Sequence, residues 1–91
     1  MHYYDAHSPH VQPRGITSFG SNRRALYAAE LSYVDREVGR LLGAIESRLK
    51  GALVVVTADH GIAFDEPRHA RLNYGYDLYS SILHVPLIVA R

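Results

Sequence analysis

The sequence predicts an α/β domain with a mainly parallel sheet. Three observations carry this expectation. Residues 52–56 form an unbroken apolar run that includes Val54, Val55 and Val56. The run shows no two-residue alternation, as expected of a strand covered on both faces. Residues 24–50 carry apolar side chains at three- and four-residue spacing, the mark of an amphipathic helix. Residues 85–90 are a second apolar run. Strands alternating with helices favour a parallel sheet, and right-handed crossovers would lay the helices on its faces.

Residues 1–4 are aromatic and strand-like, and lead into a loop holding Asp5, His7, Ser8, Pro9 and His10. Pro9 and Pro13 exclude a helix there. Residues 11–22 are rich in turn formers, and Ser21 or Asn22 can cap a helix that begins just after them. One long helix is expected over about residues 24–50. Its stripe is Leu31, Val34, Val38, Leu41, Leu42, Ile45 and Leu49, while Glu30, Arg36, Glu37 and Arg40 mostly fall elsewhere, on a solvated face. Gly39 and Gly43 each lower helix propensity by up to about 1 kcal/mol, which suggests close packing at those positions. Gly51 is placed to end the helix. The strand at 52–58 comes next, then a long polar loop, then a short helix at about residues 78–83 capped by Asp77. The last strand begins at Val85-Pro86, where a missing amide donor is tolerable.

Composition narrows the function. The 91 residues allow one small domain, and 47% hydrophobic content is enough for a core. A net charge of +1, with no basic-aromatic footprint, argues against a nucleic-acid partner. The chain has no cysteine, so it has no disulfide, thiolate ligand or cysteine nucleophile. No stretch reads as a signal peptide, and no apolar run reaches the roughly 18 residues of a membrane span. The compartment stays open.

The chemistry gathers where the strand at 52–58 ends. Asp59 and His60 stand side by side, and Gly61 comes next, freeing the backbone to turn. Open α/β sheets bind ligands beyond the carboxyl ends of their strands. There an Asp-His pair can offer a hard oxygen and an imidazole nitrogen to one metal ion. His2, His7 and His10 crowd the first ten residues. If the strands are parallel, the loop holding His7 ends at the same sheet edge. An ordinary polar surface loop is an equally good reading of composition alone.

Four pieces together resemble the sulfatase family of the alkaline-phosphatase superfamily. They are residues 27–42 with Tyr27, Asp35 and Gly39; residues 54–61 ending in Asp59-His60-Gly61; residues 76–89 with Val85-Pro86; and residues 2–10 with His7-Ser8-Pro9. The resemblance implies part of a three-layer alkaline-phosphatase-like fold. It also implies a metal-dependent hydrolase of sulfate esters, acting on a small molecule or a glycan. Asp59 and His60 match two ligands of a divalent ion, which the resemblance makes calcium first, with magnesium, manganese or zinc as alternatives. His7 matches a histidine that contacts the sulfate and helps with proton transfer near the leaving oxygen. His69 or Arg71 would serve as a further substrate-binding group where the family often has His or Lys and this chain has Tyr74.

The chain also departs from the family. The Cys/Ser-x-Pro-x-Arg motif that yields the formylglycine nucleophile is absent, as are the paired aspartates of the family's first strand. Ile62 stands where Glu is common. The expectation is therefore a partial sulfatase-like catalytic domain over residues 1–91, without the nucleophile-bearing first part and inactive alone. Exposed sheet edges would then favour self-association. Two alternatives stand beside it: a phosphodiesterase or phosphoethanolamine transferase of the same superfamily, and a non-catalytic α/β remnant or interaction module.

Overall fold

Asn22 starts the long helix in the computed structural model of the chain, which describes residues 1–64 and 79–91. Its Oδ1 accepts from the Ala25 amide at 2.9 Å, satisfying one of the open donors of the first turn. The helix, α1 (Arg23–Ala44), is shorter than the apolar repeat suggests. The Ile45 amide is shared between the Leu41 and Leu42 carbonyls, and a 3-10 turn, Glu46–Arg48, comes after it. Gly43 lies in this last turn, where the missing side chain weakens helical continuation. Gly51 therefore does not end α1. It takes a φ of 76° in the turn that leads to the next strand.

The chain divides into two compact units, Met1–Ser47 and Arg48–Arg91. In the first, an irregular segment over residues 1–22 is tied to α1. Tyr3 Oη donates to the Glu37 carbonyl at 3.3 Å, and Arg36 donates to the Gly15 carbonyl at 3.3 Å. Residues 1–4 form no strand. The best-covered residues of α1 are Ala25, Ala29 and Glu30, with Ala29 fully buried. The expected stripe is only half-buried, and Leu31 is exposed. Glu37 accepts from Arg36 at 3.1 Å and from Arg40 at 2.5 Å, a mixed-sign cluster as expected. Gly39 and Gly43 are exposed, and a Cβ on either would meet nothing, so the expected close packing is not found among the described residues.

The second unit holds β1 (Val54–Thr57), α2 (Ser80–Leu83) and β2 (Leu87–Ala90). The strands pair in the register Val54↔Ala90, Val55↔Val89, Val56↔Ile88 and Thr57↔Leu87, and they run antiparallel. This corrects the parallel expectation for the sheet that is described. The reason lies at the end of β1. The Gly61 amide donates to the Ile82 carbonyl at 2.6 Å, which docks α2 against the segment leaving β1. A chain that leaves α2 there enters the sheet at the carboxyl end of β1 and runs back along it. Thr57 Oγ1 closes this end by donating to the Pro86 carbonyl at 2.9 Å. Among the described residues of this unit, Ala63 and Ile82 are buried and apolar.

Coverage of β1 also differs from expectation. Its residues alternate between half-buried and exposed, with Val54 and Val56 on the better-covered face. Leu53, Val55, Leu87 and Val89 share the other face by register, and each is more than half exposed. No helix among the described residues is long and apolar enough to cross a membrane.

Candidate metal and histidine sites

β1 delivers Asp59 and His60 two and three residues past its last paired residue. The Asp59 side chain is 74% exposed. Its Oδ1 accepts from the His60 amide at 3.1 Å, which fixes the carboxylate against its own backbone. His60 Nδ1 lies 2.8 Å from the Gly61 carbonyl. A carbonyl only accepts, so Nδ1 carries the proton, and in the neutral ring the lone pair falls on Nε2. Nε2 stands 3.9 Å from Asp59 Oδ2.

That donor set suits part of a cation site. An imidazole lone pair and a carboxylate oxygen are both ligands for a divalent ion, and an Nδ1–H held by a carbonyl is how metal-binding histidines are oriented. Two atoms each about 2.0–2.4 Å from one ion lie up to about 4.8 Å apart, so 3.9 Å is within range. Among the described residues no group of three or more His, Cys, Asp or Glu side chains gathers round one point. Two side chains are fewer than the six to eight oxygen ligands that calcium takes.

Gly61 has a different role from the one its sequence position suggests. Its φ is not in the left-handed region, and the constraint is space. A Cβ at residue 61 would collide with the Ser81 carbonyl oxygen. Glycine is needed so that the strand end can press against α2, which sets the direction in which Asp59 and His60 leave the sheet.

His7 belongs to the first unit. Its ring is half-buried and stacks on Tyr4, with centroids 4.5 Å apart and planes 20° apart. Nδ1 lies 2.7 Å from the Ser8 carbonyl, so this ring too presents Nε2 as its lone-pair nitrogen when neutral. The His7 amide donates to the Tyr4 carbonyl at 3.3 Å across a turn in which Ala6 has a φ of 72°. His69, with Arg71, Tyr74 and Asp77, lies outside the described residues.

Sequence reasoning missed Glu30. Expected on a solvated face, it is 5% exposed. Its Oε2 accepts from His10 Nδ1 at 2.7 Å and its Oε1 from the Val11 amide at 2.8 Å. The His10 side chain is 1% exposed and packs edge-on against Tyr27, centroids 5.4 Å apart. Burial raises the Tyr27 phenol above its ordinary pKa, and the Glu30 carboxylate pushes the same way. The available signal was the run Ala28-Ala29 beside Glu30: small side chains let another segment approach and cover the carboxylate.

The sulfatase family model matches residues 1–91, the whole length of the sequence. The chain belongs to the sulfatase family. No curated protein and no solved structure matches it. Membership bears out the resemblance carried by the four sequence pieces and makes this a sulfatase-family hydrolase chain. Within that family, the chain joins a short α/β unit bearing Asp59 and His60 to a helical unit bearing His7 and the buried Glu30.

Proposed function

We propose that the chain is part of a sulfatase-type catalytic domain that hydrolyses sulfate esters of a small molecule or a glycan. The observation that carries this is the Asp59–His60 pair at the end of β1, in a chain that matches the family over residues 1–91. Asp59 supplies charge and His60 Nε2 a neutral donor to one divalent ion, calcium first and magnesium, manganese or zinc as alternatives. When bound, such an ion supplies positive charge that polarises a sulfate oxygen. The Gly61–Ile82 bond holds the strand end that carries both ligands. His7 contacts the sulfate and holds a proton for the leaving oxygen through Nε2. His69 is a second substrate-binding group. The whole catalytic domain has the three-layer alkaline-phosphatase-like fold.

The 91 residues hold no Cys/Ser-x-Pro-x-Arg nucleophile motif, so the chain alone is expected to bind sulfate without turning over an ester. The test is a sulfate titration monitored through the His7 ring resonances, alongside an assay with 4-nitrophenyl sulfate. The reading expects sulfate to shift His7, His7→Ala to weaken binding, and no 4-nitrophenol to appear. A preference for phosphate over sulfate at His7 would favour phosphoryl-transfer chemistry instead. Binding unaffected by His7→Ala would remove His7 from the site.

A further inference from the structure

We infer that Glu30 is a positioning residue for the histidine loop. Its carboxylate fixes His10 and the Val11 backbone against α1, and through them the segment that presents His7.

The geometry is specific. Both carboxylate oxygens are used, one by the His10 ring and one by the Val11 amide, at 2.7 and 2.8 Å. The acceptor stands on the second turn of a capped 22-residue helix, and the donors stand 19 and 20 residues earlier in an irregular segment. The contact is dry: the His10 side chain is 1% exposed and that of Glu30 is 7% exposed. In such surroundings a hydrogen bond to a charged acceptor is strong, and leaving its donors unsatisfied is costly. Within the loop, His7 is held to Tyr4 and Ser8, its own neighbours in sequence. Before the turn, the Tyr3 hydroxyl ties the segment to the Glu37 carbonyl of α1. After it, the bonds to Glu30 begin three residues past His7 and tie the segment to the same rigid helix.

A carboxylate suits this role better than an amide. Glutamine can still accept from the Val11 amide through its oxygen. Its NH2 would then face His10 Nδ1, which can take that proton only by becoming the lone-pair nitrogen. Glu30→Gln should therefore keep the loop in place but change the His10 tautomer. Glu30→Ala should release the loop.

The consequence for His7 in sulfate binding rests on the function proposed above; the clamp itself does not. The experiment is nuclear magnetic resonance on the full chain, comparing wild type, Glu30→Ala and Glu30→Gln. In Glu30→Ala the Val11 amide should exchange at least about tenfold faster, and the His7 amide should lose protection as its turn loosens from α1, while the central amides of α1 keep theirs. In Glu30→Gln the His10 ring nitrogen shifts should report the other tautomer, with Val11 and His7 protection retained. Unchanged Val11 and His7 signals in Glu30→Ala would overturn the inference. So would equal loss of protection in α1 and the loop, which would make Glu30 a general core group. If Glu30→Ala does not fold, Glu30→Gln decides, and an unmoved His10 tautomer would overturn it. A sulfate titration of His7→Ala separates the two readings. Unaltered sulfate binding there would remove the role of His7 and leave the clamp standing.

Discussion

The Gly61 amide donates to the Ile82 carbonyl at 2.6 Å, and this one bond decides the direction of the described sheet. It places α2 at the carboxyl end of β1, so that β2 must return antiparallel. The same contact allows no side chain at residue 61, because a Cβ would strike the Ser81 carbonyl oxygen. That oxygen is backbone and cannot rotate away.

Gly61→Ala should therefore destabilise the second unit by about 1–3 kcal/mol, the range for overpacking a closely fitted contact. Urea unfolding monitored by circular dichroism measures this. Ile82 methyl shifts should move in the same variant, while amides near Asn22 stay in place.

The cap at Asn22 is a second measurable feature. Asn22→Ala removes the acceptor of the Ala25 amide and should lower stability by about 1 kcal/mol. Asn22→Asp should retain most of it, since its carboxylate accepts the same bond and also favours the positive end of the helix.

Tyr27 predicts an alkaline signature. Its phenol is held above the ordinary value of 10.0 by burial, with Glu30 adding to the effect. The folded state thus keeps a proton that the unfolded chain releases first. Stability from this residue is fully present below pH 10 and falls as pH rises through the folded value. Unfolding free energies from about pH 8 to about pH 11 should fall more steeply for wild type than for Tyr27→Phe. Parallel slopes would show that Tyr27 takes no part.

The exposed face of the β1–β2 pair predicts association. Leu53, Val55, Leu87 and Val89 lie together there without a charged neighbour in either strand, and bare strand edges pair readily. Light scattering should show the chain associating with a second copy at micromolar concentration. Val55→Lys combined with Val89→Lys should return it to monomer. A wild-type monomer would contradict this.

Local signals were legible in the sequence. The Asn22 cap, the long helix, the strand containing Val54 and the existence of the last strand could all be read from residue type and spacing, although that strand starts at Leu87 and not at Val85. So could the family. The unread features depend on partners distant in sequence. The antiparallel register comes from the docking of α2 on Gly61, which no periodicity encodes. The unbroken valine run suggested cover on both faces, yet one face is open, because hydrophobicity records a need for burial and not its fulfilment. Glu30 looked solvated because a helical pattern sorts charges to the outside. It is buried because His10 and Val11, far back in the chain, bring it two donors.

We propose that Asp59 and His60 share one cation. Paramagnetic broadening by manganese(II) tests it most directly, because it detects a two-ligand site even when binding is weak. Substoichiometric manganese should first broaden the His60 ring and the amides of residues 58–61. Excess calcium should reverse the effect, and Asp59→Ala should abolish it. Broadening that spreads evenly over the chain, or that persists at His60 in Asp59→Ala, would contradict the claim.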